Sequence, residues 1–367
     1  MTAKLRIEAA SIRAFRNIGS IDLAPVPRIN VISGDNGQGK TSILEALYFV
    51  ATSRSFRAER PREMLKEGSD VAVVRARLDE DGIVREQRAA LRGAVRSMQI
   101  DGKKPETLAR YATRTPVVVF HPGHLAIVTG PASERRTLLD RIALFEDPSS
   151  GDHRARYERA LRSRQVALDE RGTSASELDI LEHLMGIHGA ALCRARRRAA
   201  TSLVTALAPI FAKMAPSSLE LRSEFVPGGP EDPAVLEAAL RERRNDDRRR
   251  RRATLGPQRD ELGLDLSGRS VRRHASQGQQ RILTLALKAA ELECVRAARG
   301  AEPILLLDDV SSELDPERTG AVYEFLRETP SQVFVTTTRP ELFVLPGISG
   351  SERADFRVVE GALKSDA

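Results

Sequence analysis

Apolar and polar residues alternate with a period of two in several short runs near the start of the chain. Positions 5–15 follow this pattern and predict a strand, while 28–32, Arg-Ile-Asn-Val-Ile, predicts a short buried strand. Positions 41–50 switch to three- and four-residue spacing, the signature of a helix. Three further strand-like runs follow at 71–78, 83–91 and 97–100. The turn pair Asp101-Gly102 closes the last of them, so an antiparallel meander is expected. A β-branched run at 117–120 predicts one more strand, ended by Pro122-Gly123.

The texture changes near position 133. Residues 133–171 and 175–215 are charged and helix-favouring, with apolar residues at helical steps such as Leu138, Leu139, Ile142, Leu161 and Leu168 in the first. Leu178, Leu181, Leu184, Met185, Leu192 and Leu203 mark the second, and Gly172-Thr173-Ser174 supplies a turn between them. A helical hairpin inserted into an alternating α/β fold is expected. The predicted domains are an interrupted head, 1–132 with 217–367, and a helical insertion, 133–216. Past a strand at 219–225 and a Pro/Gly loop, a helix from Pro233 runs into five arginines at 248–252. Helix, strand, helix and strand then follow over 277–299, 303–307, 316–328 and 332–336.

Composition narrows the class. A chain of 367 residues that is 41% hydrophobic and 30% charged is globular in type and long enough to bury a core. Its apolar runs fall far short of the roughly 20 residues of a membrane span. The charged N-terminal residues predict no secretory signal, and the two distant cysteines, Cys193 and Cys294, predict no disulfide framework; a cytoplasmic setting is expected. Lys plus Arg number 58 against 51 Asp plus Glu, a net +7 that makes a nucleic-acid partner plausible. With aromatics at 4% and no Trp, a stacking platform for single-stranded bases is not expected.

Three segments carry chemistry. Gly34-Asp35-Asn36-Gly37-Gln38-Gly39-Lys40-Thr41 fits GxxxxGK[ST] between a predicted strand and a predicted helix. Glycines let the backbone wrap phosphate oxygens, the helix adds its positive end, Lys40 reaches the β- and γ-phosphates, and Thr41 gives its hydroxyl to Mg²⁺. The strand at 304–307 ends in Asp308-Asp309. Asp308 is expected to hold Mg²⁺ through water, and Asp309 to polarise the attacking water. Between them lies Ser276-Gln277-Gly278-Gln279-Gln280-Arg281, opening a helix. In isolation this reads as a simple helix cap; its position before the acid pair suggests an anion site of hydroxyl and amide groups.

The order of phosphate loop, SQGQQR, LLLDD and Ser311-Ser312-Glu313-Leu314-Asp315 resembles the ATP-binding-cassette heads of the SMC-like class. The resemblance implies that Ser276, Gln277, Gly278 and Gln279 cover ATP held by a second copy, and that Ser311, Leu314 and Asp315 form the loop that signals across the dimer. Further segments resemble the RecF family of recombination-repair proteins. They include Ala14-Phe15-Arg16-Asn17-Ile18, Ser53 to Arg57, Phe120 to Leu125, Arg135 to Asp140, and Thr254 to Leu262 around Gly256-Pro257-Gln258-Arg259-Asp260. That likeness implies a protein that binds ATP and Mg²⁺, dimerises on ATP, and binds double-stranded and gapped or single-stranded DNA. It also implies partnership with RecR and RecO in loading RecA during recombinational repair and the SOS response. The expected turnover is slow, DNA-stimulated hydrolysis that resets a switch.

Some positions depart from the pattern. Val335-Thr336-Thr337-Thr338-Arg339 stands where cassette transporters carry a His, Asp309 where they carry Glu, and Gln258 where the family usually has His. The best candidate for a Gln-loop equivalent is the stretch His121 to Leu125. Arg248, Arg249 and Arg250, with Arg196 and Arg197 on the second inserted helix, are the candidate DNA contacts. A transporter-driving cassette subunit is the competing reading. A GTPase is disfavoured because no Asn-Lys-x-Asp motif is present.

Overall fold

The computed structural model describes residues 2–309, 329–343 and 348–364. The expected helix at 316–328, and with it Ser311, Leu314 and Asp315, lies outside the described residues. In chain order the elements begin with β1 (Leu5–Phe15), β2 (Ile18–Leu23), β3 (Ile29–Ser33), α1 (Lys40–Thr52), β4 (Val71–Glu80), β5 (Ile83–Arg92), β6 (Val95–Ile100), α2 (Leu108–Arg114) and β7 (Val117–Phe120). A helical stretch follows: α3 (Ala126–Thr129), α4 (Ala132–Glu146), α5 (Ser149–Arg171) and α6 (Leu178–Met214). Then come β8 (Leu221–Val226), α7 (Pro233–Glu242), α8 (Arg244–Arg250), β9 (Glu261–Leu266), β10 (Arg269–Ser270), α9 (Val271–His274) and α10 (Gln277–Arg299). Four strands end the described chain, β11 (Ile304–Asp308), β12 (Val333–Thr337), β13 (Arg353–Val359) and β14 (Ala362–Lys364).

Contacts divide the chain into two units, Met1–Gly123 with Arg299–Ala367, and His124–Ala298. The first holds two sheets. One is antiparallel, ordered β2-β1-β4-β5-β6; the other runs β14-β13-β3-β12-β11-β7, parallel except for the β13–β14 hairpin. Strands β3, β11 and β12 are buried at nearly every position, as largely apolar strands are in a sheet covered on both faces. Helix α1 supplies much of that cover: all its residues except Thr41 are buried, and it contacts strands of both sheets. Beside it, the buried Gln332 amide ties the sheets together, accepting from the Ile7 amide at 2.8 Å and donating to the Ile7 and Val26 carbonyls.

In the second unit α4, α6 and α10 pack on the short antiparallel sheet β10-β9-β8. Its core joins Leu138, Leu139 and Ile142 of α4 to Leu203, Leu207 and Phe211 of α6, Leu262 and Leu264 of β9, and Leu283 and Leu287 of α10. The contact division is therefore wider than the 133–216 insertion read from helical periodicity, because a sheet and the SQGQQR helix share the helices' core. The stretch 133–171 is two helices rather than one. Asp147 is extended (φ −148°, ψ 100°) before Pro148, which disfavours helix in the residue preceding it.

Candidate functional site

Strand β3 ends at Ser33 and releases a loop that must turn back into α1 within a few residues. The turn uses backbone open to glycine: Gly34, Gly37 and Gly39 have φ of 149°, 80° and 114°. Gly34 is further constrained, since a Cβ there would stand 2.4 Å from the Val358 carbonyl oxygen. The β13–β14 turn, Glu360-Gly361, braces the loop from behind. The Glu360 amide donates to Gln38 Oε1 and the Gly361 amide to the Gln38 carbonyl at 2.9 Å. Asn17 clamps the front, donating to the Gly37 carbonyl at 3.0 Å and accepting from the Ser42 hydroxyl at 2.9 Å.

The chemistry-bearing side chains meet at the mouth of this loop. Lys40 folds over it, its ammonium 2.7 Å from the Gly34 carbonyl and 2.9 Å from that of Asp35. Burial lowers the Lys40 pKa, against the pull of Asp309, Asp308 and Asp35. The Thr41 hydroxyl donates to Asp308 Oδ1 at 2.7 Å, and the Thr336 hydroxyl reaches the same oxygen at 2.8 Å. Thr336 Oγ1 also accepts from the Asp309 amide at 3.0 Å. Burial raises the Asp308 pKa, opposed by those two hydroxyls and by Arg57. Asp309 sits in the left-handed region at φ 49°, which turns the chain sharply as it leaves β11.

A cavity of about 720 Å³, within the range of small-molecule sites, opens here. Asn36, Gly37, Gly39, Lys40, Thr41 and Asp309 line it, whereas Gly34, Asp35, Gln38 and Asp308 do not. Its wall also carries Arg16 and Arg57, which sequence reading did not assign to the site. Both are gripped by the fully buried carboxylate of Glu45 on α1, Arg16 at 2.8 and 2.9 Å and Arg57 at 2.7 Å, with Ser55 donating at 2.5 Å. The sequence signal was faint: Arg16, Asn17 and Arg57 fell inside resembling segments, but nothing in their spacing tied them to Glu45. His121 is not among the residues lining the cavity; its ring stacks on Phe56 with centroids 5.3 Å apart.

In the second unit, Ser276 and Gln279 form a reciprocal capping box on α10. The Gln279 amide donates to the Ser276 hydroxyl at 3.2 Å, and the Ser276 amide to Gln279 Oε1 at 2.8 Å. The helix-cap reading of SQGQQR therefore describes the geometry seen. Gln277 and Gly278 head the helix just inside the cap.

The basic candidates separate. Arg196 is a correction: it is 4% exposed and spends its donors on Asp140, Asp260 and the Pro257 carbonyl, leaving no fork for a phosphate. Burial works against its charge, but Asp140 and Asp260 outweigh that and raise its pKa. Arg197 pairs with Glu231 at 2.6 Å and lies over the Phe225 ring. Arg248, Arg249 and Arg250 are exposed at the end of α8, with Arg249 paired to Asp246.

The RecF/RecN/SMC N terminal domain model matches residues 6–345. A protein of Anaeromyxobacter sp. (strain Fw109-5), named "DNA replication and repair protein RecF", is 37% identical over 98% of this chain and 99% of its own length. Proteins of the same name from Myxococcus xanthus (strain DK1622) and Geobacter sulfurreducens are 37% and 35% identical, over 91% and 98% of this chain and 91% and 99% of theirs. The fold is similar to that of a solved recombination mediator protein, RecF-ATPrS in the RecFOR pathway. The TM-score is 0.87 at 24% identity, over 100% of this chain and 99% of that one. An Smc head domain from Pyrococcus furiosus aligns at TM-score 0.56 and 17% identity, over 98% and 95%. The chain, an SMC-like α/β head by fold, belongs to the RecF family.

Proposed function

We propose that the protein is an ATP-driven, DNA-binding repair switch. The observation that carries this is the hydrogen-bonded set Thr41, Asp308 and Thr336 beneath a GxxxxGKT loop. Two hard oxygen donors 2.7 Å apart, one of them a carboxylate, suit Mg²⁺, which takes one or two protein ligands and keeps several waters. Thr41 and, through water, Asp308 would hold Mg²⁺, which when bound would supply charge neutralisation at the β- and γ-phosphates. Lys40 and the loop amides bind those phosphates, and Asp309 orients a water against the γ-phosphorus and takes its proton as the bond to ADP breaks.

The Ser276–Gln279 turn of a second copy closes over the γ-phosphate, so that ATP assembles a homodimer and hydrolysis releases it. Residues 133–216 act as its helical lobe. The partners are DNA at single-strand gaps, and RecR with RecO, through which RecA is loaded. The relatives' names do not favour the transporter reading. Filter binding to gapped DNA with ATP and with ADP tests the proposal: higher affinity with ATP is expected, and equal affinity would refute it.

A further inference from the structure

The antiparallel sheet of the first unit turns Ala72, Val74, Ala76 and Leu78 of β4 inward, where they are buried, and presents Arg75 and Arg77 outward. Strand register then does something unfavourable. Arg75 stands directly opposite Arg88 of β5, with Ser11 of β1 beyond one and Gln99 of β6 beyond the other. Like charges in cross-strand register destabilise a sheet, and a carboxylate at either position would relieve the conflict. None is supplied. The Arg75 side chain has no ion pair or hydrogen bond among the described residues. Arg88 donates one bond, to Gln99 Oε1 at 3.0 Å, and its buried Nε finds no acceptor.

Neighbouring rows extend the pattern. Arg92 lies opposite Val71, and Arg13 opposite Val73, with Arg13 held by Asp22 at 2.7 Å. Ser97, opposite Ala90, adds a hydroxyl. Acidic residues gather at the other end of the face, where Glu8 pairs with Arg77 and Glu86 lies opposite it.

We propose that this face, centred on Arg75 and Arg88, grips the phosphates of a nucleic-acid backbone. The inference rests on the reading of the chain as a DNA-binding protein and assigns that reading a surface. The two guanidinium groups stem from strands about 4.8 Å apart, and planar forks flanked by Ser and Gln donors are the set that phosphate contacts recruit. The centre of the face carries small or β-branched residues and no aromatic ring, which suits a backbone rather than stacked bases.

The test uses the full chain with ATP and a fluorescent gapped duplex, titrated by anisotropy between about 50 and 200 mM salt. The double variant R75Q/R88Q is expected to bind at least tenfold more weakly. Its log affinity should fall less steeply with log salt, by about 1.8 for two lost phosphate contacts. R75K/R88K should restore most of that slope. Binding of a fluorescent ATP analogue should not change, and the melting temperature should equal or exceed the parent's because repulsion is removed, which separates a lost contact from a damaged fold. Unchanged affinity and slope in R75Q/R88Q would overturn the inference alone. So would a loss confined to an acidic polypeptide such as poly-glutamate. A parent chain that binds no DNA with ATP would overturn the functional reading and this inference with it.

Discussion

The Thr336 hydroxyl serves two neighbours at once, donating to Asp308 Oδ1 and accepting from the Asp309 amide. Replacing it with Val strands the half-buried Asp309 amide and removes one of two hydroxyls that hold the carboxylate in place, a loss of about 1–3 kcal/mol. T336V is therefore expected to weaken Mg²⁺-dependent ATP binding about tenfold, read by titration with a fluorescent analogue, while T336S keeps it. Gly34→Ala should do more: the new Cβ meets the Val358 carbonyl and the backbone has to leave φ 149°, so nucleotide binding should be lost. Gly37→Ala, with open space around it, should cost less. The loop was legible because its backbone demands glycine at fixed offsets. Thr336 was visible only as a departure from a His. The Glu45 hub was not legible, since a buried carboxylate between two arginines is made by folding, not by spacing.

The alternating strand β1 and the short apolar run of β7 were read to the residue. Strand β9, Glu-Leu-Gly-Leu-Asp-Leu, alternates just as well, with its leucines inward, yet it was not read as a strand, its first two residues closing a motif segment. Strand β13 has a weaker pattern and draws its place from pairing with β3. Helices α5 and α6 meet at a polar seam that periodicity does not reveal. There Arg164 is fully buried, bonded to Glu182 at 2.9 Å, Asp247 at 2.7 Å and the Leu240 carbonyl. Arg164→Ala leaves two buried carboxylates without it and should lower unfolding free energy by about 3–5 kcal/mol in a denaturant titration.

On the same seam His153 and His188 face each other, Nδ1 to Nδ1, at 3.0 Å. Burial first, then His153 and Arg156, depress the His188 pKa below its ordinary 6.5. The unfolded chain thus takes up a proton that the folded one refuses, so stability is lost as pH falls below about 6.5. His188→Gln should flatten the fall in melting temperature between pH 7.5 and 5.5.

At the scale of the whole molecule, the reading of ATP as a bridge between copies makes a sharp demand. Light scattering should show dimers with ATP and monomers with ADP. Asp309→Asn should keep ATP and hold the dimer, whereas Ser276→Arg should bind ATP and remain monomeric. A Ser276→Arg chain that dimerises normally would remove the signature from its role. Net charge pointed to a polyanion but not to its surface: of the arginines singled out in sequence, Arg196 is a structural ion-pair residue, and the facing pair Arg75 and Arg88, which have no carboxylate partner among the described residues, lies elsewhere.

Strand β3, which launches the phosphate loop near the start of the chain, is flanked by β12 on one side and β13 on the other. Both neighbours are synthesised some three hundred residues later, and the hairpin that braces Gln38 later still. A chain emerging from the ribosome therefore carries its nucleotide-gripping segment exposed and unformed for most of its synthesis. The grip can close only after residues 333–361 have left the exit tunnel. A chain truncated before residue 333 is expected to keep the motif yet bind a fluorescent ATP analogue far more weakly than the full chain, and equal binding would show that the loop forms without its late neighbours.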